Sequence, residues 1–215
     1  MMKRIVFASP KGGAGKTTLC RNLAVSAAAA GLKVAVGDLD PQRTLTRWWR
    51  RRGSAEHSVS HYELAMDDVA SLVSDGSVDD CDAFFVDTPP SIETYPDALR
   101  QLIDSADFIV VPARPSLDDA ESAVPFMAML RRRGRRASFV LNAVKPRTNI
   151  IAVKTLLLKA GELCPVEVAD RVDFMRAAEY GVGMADLGEH PGAREIEGVW
   201  NYVRAKVWGF VDVAA

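Results

Sequence analysis

The chain has 215 residues, 48% hydrophobic and 26% charged, with a net charge of −1. That make-up belongs to a globular chain with one sizeable core, so any grip on a polyanion has to come from a local patch. Three widely spaced cysteines, Cys20, Cys81 and Cys164, form no C-x-x-C pair, which argues against a disulfide framework or zinc knuckle and fits a reducing compartment.

At the amino terminus, MMKRIVFAS lacks the apolar core and cleavage site of a signal peptide. The longest apolar runs fall short of the ~20 residues that span a bilayer. A cytoplasmic protein is expected. RIVFAS (residues 4–9) reads as a buried strand, and it runs through SPKGGAGKTT (9–18) into a helix over 17–30 that Gly31 is placed to end. KVAVGD (33–38), AFFVD (83–87), FIVVP (108–112) and SFVLN (138–142) read as four more strands, with helical stretches at 96–103, 119–133 and 150–160. PVEVA (165–169) is a further strand candidate, and the chain after Gly192 reads as a closing helix. Apolar runs alternating with helices indicate βα units on a parallel sheet. Residues 1–215 read as one domain: an α/β single-domain P-loop NTPase with a mostly parallel twisted sheet and helices on both faces. The strong strands end at Ser9, Asp38, Asp87, Pro112 and Asn142, and the carboxyl ends of such strands form the ligand crevice.

The glycine-rich stretch supplies the chemistry. Gly12, Gly13 and Gly15 let backbone N–H groups turn inward around phosphate oxygens, and the following helix adds its positive end. Lys16 would neutralise the β/γ-phosphates and the Thr17 hydroxyl would ligate Mg²⁺. Asp87, closing an apolar strand in FFVDTPPS, is placed to serve the metal, usually through water. GDLDPQ adds Asp38 and Asp40, of which one could hold the metal's water shell and the other orient an attacking water. Pro10 stands where the general template wants glycine, and Lys11 is a second lysine that a simple phosphate loop does not need.

PKGGAGKTT, GDLDPQ and VDTPPS, in this order and spacing, resemble the deviant Walker A ATPases of the ParA/MinD superfamily, with DPQRTLTRW closest to the small ParF-like plasmid-type partition ATPases. The likeness extends through VLNAVKPRTN and RAAEYGVG. It implies that Lys11, Gly12, Gly13, Ala14, Gly15, Lys16, Thr17 and Thr18 hold ATP, and that Lys11 crosses a nucleotide-sandwich homodimer to the partner's ATP. It further implies Asp40 as the residue that orients the hydrolytic water, Asp38 and Asp87 near Mg²⁺, and Asn142, Pro146 and Arg147 by the adenine. Weak intrinsic ATPase activity, non-specific DNA binding, nucleoid association when ATP-bound, and a ParB-like or adaptor protein that stimulates hydrolysis follow from the same likeness. Pro10 is shared with ParF-like members. Gly37 departs from the usual apolar residue. No N-K-x-D segment reads guanine, which favours ATP over GTP.

Two basic runs admit two accounts: Arg43, Arg47, Arg50, Arg51 and Arg52 around Trp48–Trp49, and RRRGRR at 131–136. Either they are solvated helix ends or they bind DNA phosphates. The resemblance adds Arg171, Arg176, Arg204 and Lys206. Ile196, Val199, Trp200, Val203, Val207 and Trp208 recur at helical spacing and fit a helix packed on the sheet better than a basic membrane anchor; a membrane is not an expected partner. His57, His61 and His190 have no metal-ligand spacing and read as surface residues. A MinD-like membrane-cycling ATPase, or a metabolic enzyme on this scaffold, is the alternative. A cluster-bearing reductase would need cysteines after the strand ending at Asp87, where Cys81 comes too early and Cys164 far too late.

Overall fold

The computed structural model describes residues 1–53, 55–74, 78, 80–90 and 95–209. In chain order, β1 (Lys3–Phe7) leads to α1 (Lys16–Ala29), β2 (Val34–Asp38), α2 (Thr44–Arg51) and β3 (Ser60–Glu63). Then follow α3 (Val69–Ser74), β4 (Ala83–Asp87), α4 (Pro96–Ser105), β5 (Phe108–Ala113) and α5 (Leu117–Arg132). The chain continues with β6 (Ala137–Leu141), α6 (Ile151–Ala160), β7 (Glu162–Leu163), α7 (Val172–Glu179) and α8 (Pro191–Trp208). All seven strands join one parallel sheet in the order β3-β2-β4-β1-β5-β6-β7.

Both faces of the sheet are covered, which is why its central strands are apolar throughout rather than alternating. Along β1, Ile5 and Phe7 enter a core with Leu23, Trp48, Phe174 and Trp200 from α1, α2, α7 and α8. Val6 enters the opposite core with Leu102, Phe126 and Leu157 from α4, α5 and α6. Gly37 now has a reason: a Cβ there would lie 2.6 Å from the Phe84 ring and 3.0 Å from Leu64. The ring takes the volume an apolar side chain would fill.

Two strands differ from the sequence expectation. β3, with the polar sequence SHYE, carries no apolar run and exists through its pairing with β2. The 165–169 segment forms only an isolated bridge, Val144 to Ala169, while the last strand is Glu162–Leu163. Pro165 cannot donate to a ladder, so regular pairing stops before it. The apolar face of α8 is buried, Ile196, Val199 and Val203 completely. No helix among the described residues is long and apolar enough to cross a membrane. Phe210 and Asp212, at the end of the closing stretch, lie outside the described residues.

The first arginine run holds the fold together. Arg52 is buried, donates to Gly181 carbonyl (3.1 Å) and Asp186 (3.0 Å), and lies 5.0 Å from the Trp48 ring centre. Arg51 donates to Ala178 carbonyl, Arg47 to Gln42 carbonyl, and Arg43 and Arg50 both reach Glu63. Arg51 and Arg52 therefore latch the end of α2 onto α7 and the chain that follows it. Removing one partner of a buried pair strands the other, so Arg52→Met is expected to lose about 3–5 kcal/mol of stability in urea unfolding. An unchanged midpoint would remove the latch from the account.

Candidate nucleotide site at the carboxyl edge of the sheet

Parallel register brings the key strand ends level: Phe7 pairs with Asp87, and Asp87 with Asp38. The phosphate loop leaves β1 at this edge and returns into α1 through Gly15, whose φ of 104° is left-handed. Asn142, just past β6, donates from its Nδ2 to Ala14 carbonyl at 3.0 Å. A Cβ on Gly15 would land inside that amide. Strain of about 1–3 kcal/mol at such a position is typical. Gly15→Ala should accordingly weaken binding of a fluorescent ATP analogue by about tenfold or more; unaltered affinity would mean the loop tolerates a side chain here.

Inside the loop's mouth, Thr17 Oγ1 donates to Asp87 Oδ2 at 2.6 Å. Asp87 is fully buried and its Oδ1 has no partner among the described residues. Burial pushes its pKa up to about 7, against the Thr17 hydrogen bond and Lys16, with Asp38 and Asp40 reinforcing the rise. Lys16 is itself buried, which lowers its pKa, while Asp87 and Asp40 oppose the drop. A buried carboxylate with one oxygen unpartnered among the described residues and a hydroxyl on its other oxygen is a donor set for a hard, oxygen-seeking cation, while the Lys16 ammonium suits the phosphate oxygens. Thr17 and Asp87 fit Mg²⁺ on that ground.

Asp38 is engaged elsewhere. Its Oδ2 accepts from Thr46 N and Thr46 Oγ1, both at 2.8 Å, and its Oδ1 from Asp40 N at 3.1 Å. Thr46 Oγ1 also meets His61 Nε2 at 3.0 Å, and His61 stacks on Trp49. Since the hydroxyl donates to Asp38, it accepts from His61. Asp38 thus fixes the start of α2 and connects it to the edge strand β3. His61 is half-buried and His190 Nδ1 accepts from Gly192 N at the start of α8. Neither is the idle surface residue its spacing suggested. Asp40 is half-exposed, and its Oδ1 accepts from Gln42 N (2.8 Å). Thr18 lends its carbonyl to Asn22 (2.7 Å), and Pro146 and Arg147 lie in an exposed turn, Arg147 at φ 65°.

Lys11 is half-exposed, and its Nζ lies 3.2 Å from Asp119 Oδ1. Asp119 sits in the first turn of α5, where its N donates to Ser116 Oγ (3.2 Å) and its other oxygen accepts from that hydroxyl. Asp119 and Arg114 are the residues that sequence reasoning passed over. Arg114 follows β5, and its Nη2 would be 3.8 Å from a Cβ on Gly13. The S-x-x-D spacing of a helix start could have singled out Asp119.

A model of the CobQ/CobB/MinD/ParA nucleotide binding domain matches residues 5–183. The chain belongs to the ParA/MinD superfamily. Among relatives of this superfamily, the "Maintenance of carboxysome distribution protein A" of Halothiobacillus neapolitanus is 28% identical over 210 residues, covering 93% of this chain and 95% of that one. A putative plasmid partition protein of Borrelia burgdorferi bound to AMPPNP superposes with a TM-score of 0.77 at 16% identity, covering 96% of this chain and all of that one. The MinD chain of the Aquifex aeolicus MinC:MinD complex gives 0.78 at 16%, covering 99% and 98%. At those identities the structural likeness establishes the shared fold.

Proposed function

We infer that this chain is a ParA-type positioning ATPase. ATP and Mg²⁺ bind at the phosphate loop, the loaded chains pair, the pair holds DNA without sequence preference, and a ParB-like or adaptor partner stimulates hydrolysis and release. A cargo such as a plasmid, a chromosome or a protein cluster is distributed by that cycle. The observation that carries the reading is the buried Asp87 carboxylate, bonded through one oxygen to Thr17 and free at the other, beside Lys16.

Little covalent chemistry is asked of the protein in phosphoryl transfer, so positioning and charge supply the rate. Mg²⁺ would neutralise the developing phosphate charge. Loop N–H groups and Lys16 hold the phosphates, Thr17 and Asp87 hold the cation, and Asp40 orients water. Lys11 reaches the neighbouring protomer's triphosphate once it leaves Asp119. The burial of Ile196, Val199 and Val203 on α8 supports the DNA-bound reading over a membrane-cycling one, because those side chains are packed in the core rather than offered to lipid.

The test is a salt-titrated DNA-binding assay beside liposome co-sedimentation, each with and without ATP and Mg²⁺. Salt-sensitive DNA retention that needs ATP, with no lipid binding, is the expected result. Lipid binding alone would overturn the reading.

A further inference from the structure

The second arginine run has a different fate from the first. It lies at the amino-terminal ends of β5, β6 and β7, the opposite end of the sheet from the phosphate loop, and lines an open cleft of about 780 Å³. Arg131, Arg135, Arg136, Lys159 and Lys206 supply its cations and Glu162 its carboxylate. Glu162 is spent locally: it accepts from Lys206, Tyr202 and Ser138, with Lys206 first among the contacts that pull its pKa down.

The arginines are fixed without being neutralised. Arg131 donates to Ala160 carbonyl (2.9 Å), Arg135 to the carbonyls of Asp104 (2.7 Å) and Arg133 (3.1 Å), and Arg136 to that of Lys206. The nearby Asp104 carboxylate is taken by both bonds from Arg133. Lys159, exposed in the lining, and Arg132, exposed next to Arg131 in the chain, make neither hydrogen bond nor ion pair with the described residues. A backbone carbonyl holds a guanidinium's orientation but leaves its charge and other N–H donors free, a prepared fork for phosphate oxygens. The floor offers little else, since Phe108 and Met127 are each 1% exposed and Leu158 alone stands out at 59%.

We propose that this cleft is the surface by which the protein holds the phosphate backbone of duplex DNA. The inference rests on the DNA-binding reading above and gives it a location. An acidic peptide would need apolar anchors that the buried floor does not supply, whereas a polyanion needs the unpaired charge that is present. The cleft and the nucleotide site are at opposite ends of the sheet, so they do not compete. Pairing through the carboxyl edges would give each dimer two clefts, and ATP would strengthen DNA binding through two-point attachment rather than through new contacts.

The test measures fluorescence anisotropy of a random-sequence duplex against ATP-loaded full-length protein across a salt series. Arg132→Glu/Lys159→Glu changes exposed side chains without described partners, so it leaves folding and basal ATP hydrolysis as in wild type. It should weaken DNA binding by about tenfold or more and flatten the salt slope by about two, close to one unit per phosphate contact. Arg131→Lys/Arg135→Lys/Arg136→Lys keeps the charge and should retain most of the slope, and Arg100→Glu on exposed α4 should change neither quantity. Wild-type binding with an unaltered constant and slope in the double variant would place the DNA surface elsewhere and overturn this inference alone. Failure of wild-type protein to bind DNA at any salt would overturn the DNA reading and the inference with it. Competition by polyglutamate equal to that of duplex would make the cleft an acidic-polypeptide site and likewise overturn it.

Discussion

Asp87→Asn is expected to abolish Mg²⁺-dependent ATP hydrolysis and, at the same time, to make the nucleotide-free protein more resistant to heat at pH 8. Both outcomes follow from one carboxylate. Its pKa is about 7 in the fold, mainly through burial, against 3.8 in a free side chain. Below about pH 4 folded and unfolded chains both carry the proton. Between about 4 and 7 the folded chain alone keeps it, so stability falls as pH rises across that window. Above 7 the buried charge persists as a constant penalty, on the order of 4 kcal/mol from a shift of that size. Asparagine keeps the shape and removes the charge, so differential scanning fluorimetry should show a gain at pH 8 that vanishes near pH 4. A bound cation also relieves the penalty but has to displace the proton. Mg²⁺–nucleotide affinity should therefore rise as pH passes from 6 to 8 in wild type and stay flat in the variant. Equal thermal stability of the two proteins at pH 8 would remove the buried charge from the account.

Lys11→Ala is expected to separate nucleotide binding from pairing. Lys11 is half-exposed and engages Asp119 in its own chain, whereas Lys16 is buried within the electrostatic reach of Asp87 and Asp40. Loss of the Lys11–Asp119 pair costs little stability, since an ion pair with one exposed member contributes roughly 0–1 kcal/mol. The variant should bind ATP within a few-fold of wild type, measured by calorimetry. In sedimentation it should remain monomeric with ATP and Mg²⁺, where wild type pairs, and partner-stimulated hydrolysis should disappear. Asp119→Asn offers the complementary result: freeing the lysine should favour pairing at lower ATP. Pairing by the Lys11→Ala protein as strong as that of wild type would mean that Lys16 alone serves the triphosphate.

The sheet was legible where burial writes it into sequence. AFFVD became β4 without a residue's change, and the apolar runs at 108–112 and 138–142 shifted by no more than a residue at either end. β3 was not legible, because SHYE is an edge strand whose only requirement is a ladder partner in β2. The phosphate loop announced itself because glycine and lysine at fixed spacing have few other uses. Roles that depend on tertiary neighbours were hidden. Asn142 reads as a strand-end polar residue until its amide is found on Ala14. The arginines of α2 look like a charged face until Arg52 is found beneath Gly181 and Asp186. Asp38 and Asp87 look equivalent as strand-end carboxylates, and only the fold shows that Thr46 occupies one while the other keeps a free oxygen.

The most direct measurement is a structure of the chain bound to ATP and Mg²⁺, with hydrolysis blocked by Asp40→Ala. The account predicts two protomers face to face across their nucleotides, each Lys11 amine parted from its own Asp119 and in contact with the triphosphate of the other. A single protomer that holds ATP with Lys11 still on Asp119 would contradict it.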